Sequence, residues 1–263
     1  MFVRHARRGR PSREPVKPVA RRAHRPTANA MARVTTILCA ADPRGSEAAA
    51  ERLIRACEER AVDAVALVGD LSAGGARASY RPVFHALART RRPAYWVPGP
   101  GDAPIGAYVR EASAIERVHP TLRGLHATAA FAPGGHVVLA GLGGEIDDDP
   151  DGVRDEDARL RYPRIEAEYR LKLLDELDEH ERVLLFWSRP AHKRLDPTGS
   201  EAVAELVNTY RPRLVVVGGP RGCEQLGTSL VVAPGSLCDG DYAVVDLRRG
   251  SVERAEPARA VGR

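Results

Sequence analysis

The chain is short of most features that would place it at once. Its four cysteines (Cys39, Cys57, Cys223, Cys238) form no Cys-x-x-Cys pair, which leaves reduced intracellular thiols as the expectation. No stretch approaches the roughly 18 uncharged apolar residues of a membrane span. There is no internal repeat, and the glycine run Gly141-Leu142-Gly143-Gly144 completes neither G-x-G-x-x-G nor a P-loop. Ser188, Ser229 and Ser236 lack the surroundings of a nucleophile elbow, so serine hydrolysis has little support. The acidic stretch Glu145–Asp157 does not complete EF-hand spacing and reads as a solvated loop rather than a calcium site. His85, His119, His126, His136 and His180 have no ligand-spaced partners and read as structural or surface residues.

What is present is an ordinary globular composition: 263 residues, 43% hydrophobic and 29% charged. That length suits one α/β domain with a full core, or at most two small ones. The net charge of +5 misleads, because residues 1–30 hold nine Lys/Arg against the single acid Glu14. The remainder carries 31 basic and 34 acidic residues, so the body is not a basic nucleic-acid-binding domain. Residues 1–30 are Arg- and Pro-rich with hardly any apolar side chains, and they lack the apolar core of a secretory signal. They read as a disordered basic tail or an over-extended start, since Met31-Ala32-Arg33 leads directly into an apolar run; any nucleic-acid contact would run through them. Residues 31–250 read as the folded domain and 251–263 as a C-terminal tail. A cytoplasmic location follows as the expectation, and the high Ala, Arg and Gly content suggests a bacterial source.

From residue 34 the pattern alternates. Val34–Ala40, Ala64–Val68 and Ala94–Val97 are largely apolar without a period-two pattern, as strands covered on both faces are. Between them, Ser46–Arg60 reads as a helix with Ser46 as N-cap and Ala50, Leu53, Ile54 and Cys57 inward. Ser79–Thr90 repeats the pattern with Val83, Phe84 and Leu87, and Tyr108–Val118 is also expected to be helical. Further strands are expected at Val137–Ala140, Val183–Trp187 and Leu214–Val217. The spacing predicts helices over Tyr162–Glu179, with Ile165, Tyr169, Leu173 and Leu177 at helical spacing, and over Thr198–Tyr210. Short β runs at Ser229–Val232 and Tyr242–Asp246 close the domain. Such alternation argues for a largely parallel sheet with its site at the carboxyl ends of the strands.

Four of those strand ends carry the chemistry: Asp42-Pro43-Arg44, Gly69-Asp70, Gly99-Pro100-Gly101-Asp102 and Gly218-Gly219-Pro220-Arg221. Their order and spacing resemble the calcineurin-like metallophosphoesterases, whose loops read D-x-H, G-D, G-N-H-D/E, a lone H, and G-H-x-H. Over residues 33–247 the resemblance implies a four-layer α/β/β/α sandwich in which two divalent metals clamp a phosphate and activate a water. It assigns Asp42 and Asp70 to the metals and makes Asp102 a remnant whose partner histidine is absent. Arg44 stands at the first histidine, Pro100 at the asparagine, Gly101 at the next histidine, Ser188 at the lone histidine, and Gly219 and Arg221 at the last pair. His192 lies four residues past Ser188 as a substitute ligand. Five of the seven expected metal ligands are therefore replaced, leaving Asp42 and Asp70. The arginines suggest ion pairs in place of metals, Arg44 and Arg221 with Asp42 and Asp70, or anion capture by Arg44, Arg221 or Arg189. The expectation is a non-catalytic or weakly active homologue that binds a phosphate-containing ligand or a protein partner, with no cofactor. The alternative is an active phosphoesterase, with Mn or Mg held by Asp42, Asp70 and substitutes.

Overall fold

A computed structural model describes residues 33–149 and 151–255. The basic segment 1–30 lies outside the described residues.

Each apolar run of the first half becomes a strand with a helix packed behind it. In chain order these are β1 (Thr36–Ala41), α1 (Glu47–Arg60), β2 (Ala64–Gly69), α2 (Tyr80–Thr90), β3 (Ala94–Pro98), α3 (Ile105–Val118) and β4 (Leu122–Gly124). Ser46 caps α1, its hydroxyl accepting from Ala49 N at 3.2 Å. The second half contains β5 (Thr128–Phe131), β6 (Val137–Leu142), β7 (Glu145–Asp147), β8 (Arg161–Pro163), α4 (Arg164–Leu171), β9 (Glu181–Phe186), α5 (Glu201–Tyr210) and β10 (Leu214–Val217). It finishes with β11 (Gly222–Leu226), β12 (Ser229–Ala233), β13 (Ala243–Asp246) and β14 (Ser251–Arg254).

Two six-stranded sheets result, ordered β14-β13-β1-β2-β3-β4 and β11-β12-β10-β9-β6-β5. Their centres are parallel and their outer strands β13, β14, β5 and β11 antiparallel. Side chains alternate across each strand between two cores. Ile37, Cys39, Val68, Val97, Leu185 and Val216 fill the layer between the sheets. Leu38, Leu53, Leu67, Leu87 and Trp96 face α1 to α3. Leu184, Phe186, Val203, Val215 and Leu171 face α4 and α5. This is the α/β/β/α sandwich. The sheets come close at Gly141, where a Cβ would sit 2.8 Å from Val97 Cγ1 and 2.4 Å from Leu185 O.

Three expectations need correction. Glu145–Arg161 is not merely an exposed loop: β7 and β8 pair in parallel at its two ends, burying Ile146 and Leu160. The helix expected over Tyr162–Glu179 is α4 followed by a 3-10 turn at Lys172–Leu177. Ala167, Leu171 and Leu174 form its inner side, whereas Ile165 and Tyr169 are 61% and 78% exposed. Ser251–Arg254, expected within a tail, is the outermost strand of the first sheet.

Candidate functional site

The strand-end loops meet at one rim because β1, β2 and β3 are parallel neighbours and β9 and β10 face them across the sandwich. After β1 the chain turns sharply, with Asp42 and Arg44 both at positive φ (48° and 46°). That turn is anchored to the next loop by Arg44 N–H donating to Asp70 O and Gly45 N–H to Leu71 O, at 2.9 and 2.8 Å.

Asp42 is buried. Its Oδ1 accepts from Asp70 N at 3.1 Å, and its Oδ2 lies 3.6 Å from Arg44 Nη2. Burial and the nearby Asp70 charge raise its pKa above the ordinary carboxylate range, with Arg44, the Asp70 amide and the Trp187 indole acting in the opposite sense. Asp70 is half-buried and accepts from Gly101 N at 2.8 Å. The backbone closes tightly round both carboxylates. A Cβ at Gly69 would stand 2.0 Å from Asp42 Oδ1, and one at Gly99 2.2 Å from Asp70 Oδ1.

Trp187, which sequence reasoning passed over, is the central side chain of this rim. It packs on the inter-sheet core, and its Cδ1 would lie 3.1 and 3.3 Å from a Cβ at Gly69 and Gly218. Its Nε1 is buried and has no partner at hydrogen-bonding distance, although the indole edge is near enough to Asp42 to favour the ionised carboxylate. Ser188, expected at the ligand position, points the other way and accepts from Ile146 N at 2.8 Å. Strand alternation explains the swap: Leu185 faces inward and Phe186 outward, so Trp187 faces inward and Ser188 outward.

The other expected site residues are placed as follows. Asp102 is fully buried and oriented by four donors: Leu71 N, Ser72 N and Gly99 N at 2.9 Å each, and Ser72 Oγ at 2.7 Å. It clamps the loop after β2 to the loop after β3, and burial pushes its pKa up to about 6. The pairing expected of Arg221 does not form: its guanidinium pairs with Asp241, packed over Gly235. Arg189 is not a free cation either. Its Nη2 donates to Leu195 O at 2.8 Å, and its Nε stands 3.9 Å from Asp196 Oδ2. His192 is bound within its own loop, N–H to Asp196 O at 2.9 Å. Arg44 alone follows the expected pairing, and its side chain remains 57% exposed.

Beside Trp187 the rim opens into a cleft of about 610 Å³ lined by Ser188, Arg189, Asp148, Arg159, Gly218 and Gly219. Its acids are largely engaged: Glu145 by Arg159, Asp147 by Arg161, and Asp148 by the amino end of α5. Among the described residues, no group of three or more His, Cys, Asp or Glu is arranged to hold a metal ion. No helix among them is long and apolar enough to cross a membrane.

A family model described as metallophosphoesterase, calcineurin superfamily, matches residues 78–256. The structure of TT1561 from Thermus thermophilus is 41% identical with a TM-score of 0.81, covering 85% of this chain and 99% of that one. A second solved structure, 23% identical, has a TM-score of 0.79 over 86% of this chain and 100% of its own. GAP50, the anchor in the inner membrane complex of Plasmodium, shares the fold at 9% identity, with a TM-score of 0.51 and 86% and 89% coverage. No curated protein matches the chain. The chain belongs to the calcineurin superfamily of metallophosphoesterases, a family that is typically dependent on divalent metal.

Proposed function

We propose that this protein keeps the metallophosphoesterase scaffold but does not hydrolyse phosphoesters by a two-metal route, and instead binds a ligand or partner at the same rim. The observation that carries this reading is the set of partners round Asp42. Arg44 supplies positive charge at 3.6 Å, the Asp70 amide occupies one oxygen, and Trp187 fills the side facing the second sheet. A binuclear centre needs imidazoles and carboxylates converging with open coordination positions. An indole and a guanidinium offer no lone pair to a cation, so the residues present do not fit the group. Arg44 is the guanidinium best placed to capture a phosphate-containing ligand, because Arg189 and Arg221 are held by other groups.

The alternative, an active hydrolase with metal held by Asp42, Asp70 and His192, draws on Asp70, which has no ion pair among the described residues. Mn²⁺ stoichiometry by calorimetry and turnover of a generic phosphodiester by the full chain separate the two. The expected outcome is substoichiometric metal and no turnover above buffer. Metal-dependent turnover that Asp70→Ala abolishes would establish the hydrolase instead.

A further inference from the structure

We infer that the free edge of β5 is where two copies of this chain pair, each β5 antiparallel to the other about Ala130. This is independent of what the rim binds.

The hydrogen-bond register shows which groups that edge offers. Strand β5 ends the second sheet and pairs antiparallel with β6. Ala132 N–H donates to Val137 O at 2.9 Å, and Ala127 N–H, at a bulge residue with φ 59°, donates to Gly141 O at 2.9 Å. Backbone groups alternate in direction along an antiparallel strand. Thr128 and Ala130 are therefore turned towards β6, and Ala129 and Phe131 away from it. The N–H and C=O groups of Ala129 and Phe131 have no hydrogen-bond partner among the described residues.

The strand also lacks what guards the other edges. Outer strand β4 carries Arg123, β11 carries Glu224, and β14 carries Glu253 and Arg254, whereas Thr128–Phe131 has no charge and no proline. Phe131 is 51% exposed, the one exposed large apolar side chain among the described residues that lies on a strand. Its ring meets His180 edge-on, 5.0 Å between centroids. A groove of about 630 Å³, lined by Tyr95, Leu125, Ala130 and Phe131, runs beside the edge and leaves that side of the strand open.

A second copy is the occupant this edge fits. Placing Ala130 on a two-fold axis sets Ala129 opposite the partner's Phe131, and does so twice. Each such pair exchanges two N–H to C=O bonds, so four bonds satisfy every free group on both strands. Ala129 packs on the helix-facing side of the sheet, and Phe131 shares that side by alternation. Each large ring therefore lies across from a small methyl group. Ala130, packed on the inter-sheet core, meets its own copy with methyl against methyl. The groove is lined by one charge of each sign, Arg123 and Glu116, so two identical faces meet with no net repulsion. Pro133, the next outward position, has no N–H to donate. That limits the ladder to four bonds and makes the pairing weak and reversible.

Sedimentation equilibrium of the full chain reads the pairing. Self-association should be half complete at about 10–100 μM and stop at two chains. Phe131→Asp should weaken it at least about tenfold by placing a charge on the edge. Ala129→Pro should do the same, because it removes an outward donor from each copy and spares the bonds to β6. Both variants should keep the thermal midpoint of the unmodified chain. Cysteine cross-linking tests the register, and it decides the matter even where an edge variant is unstable. Residues opposed across a non-hydrogen-bonded pair have Cα atoms about 4.5 Å apart, within disulfide reach. Ala130→Cys should therefore give a disulfide-linked dimer with diamide, whereas Thr128→Cys and the unmodified chain should not. A chain that stays monomeric to about 1 mM overturns the proposal, since even weak specific pairing shows by then. A dimer that survives both edge variants overturns it too. Cross-linking of Thr128→Cys as readily as Ala130→Cys overturns the register, and growth beyond two chains overturns the closed pair.

Discussion

At Asp42 the competing effects on one carboxylate can be ranked. Burial and the Asp70 charge push its pKa up, and Arg44 pulls it down from 3.6 Å. Arg44→Ala removes the main opposing charge, so the Asp42 pKa should rise further, a shift that NMR titration of the carboxyl carbon would follow. Asp102 and His126 make a second, opposed pair. Gly143 N–H donates to His126 Nδ1 at 3.1 Å, so the neutral ring carries its proton on Nε2, facing the Tyr162 hydroxyl at 3.0 Å. Tyr162 in turn donates to Glu156 at 2.9 Å. Burial, with the Arg170 charge adding, lowers the His126 pKa to about 4 from an ordinary 6.5. Its contribution to stability is full above about 6.5 and is lost as pH falls towards 4. Asp102, raised to about 6 from 3.8, behaves in the reverse sense: its contribution is full below 3.8 and is lost as pH rises through 6. The two slopes oppose each other between about pH 4 and 6. Asp102→Asn should therefore expose the His126 limb, a stability loss steeper than that of the unmodified chain by about 1.4 kcal/mol per pH unit on acidification. Urea midpoints over that range would measure it, and parallel curves would refute it.

At the scale of elements, the two capped helices differ in how much holds their amino ends. Ser46 satisfies one amide of α1. At α5, Ser200 accepts from Val203 N and donates to Asp148, whose carboxylate also takes Glu201 N and Ala202 N at 3.0 and 2.8 Å. Asp148 lies on the loop after β7, so it joins α5 to the β7–β8 ribbon. Asp148→Ala should cost about 2 kcal/mol and Ser46→Ala about 1, since the first removes a charged cap as well as a tertiary link. Denaturant unfolding of both variants would check the order. The Ser46 cap was legible because N-cap signals are local. The Asp148 link was not, since it joins residues more than 50 positions apart. Ile165 and Tyr169 misled for a related reason. Their spacing fits an inward stripe, but α4 is only eight residues long and turns Ala167 and Leu171 to the core.

For the whole molecule, the alternation of apolar runs and helices was enough to give the sandwich, since strands covered on both faces carry no polar positions. The same property hid part of the site. The run Val183–Phe186 of β9 is buried and apolar on both faces, so the sequence has no periodic phase to tell Trp187 from Ser188. Asp42 and Asp70 were legible as residues directly following buried strands. Arg221's pairing with Asp241 was not, because it depends on how two loops at the edge of the second sheet fold together. The layer between the sheets should carry much of the stability. Leu185 is fully buried there, and Leu185→Ala should cost about 3 kcal/mol by denaturant titration, the usual scale for a large cavity in a packed core.

The position of Trp187 also equips the molecule with an optical reporter. The chain has two tryptophans, and Trp96 is sealed on the far side of the first sheet against Phe84, 5.2 Å between ring centroids. Its emission is a constant background. Trp187 lies between Gly69 and Gly218 with Asp42 at its edge, so a change in charge or solvent at the rim alters the field on that indole alone. Anything that seats itself at the rim can be titrated by intrinsic fluorescence, with no label attached.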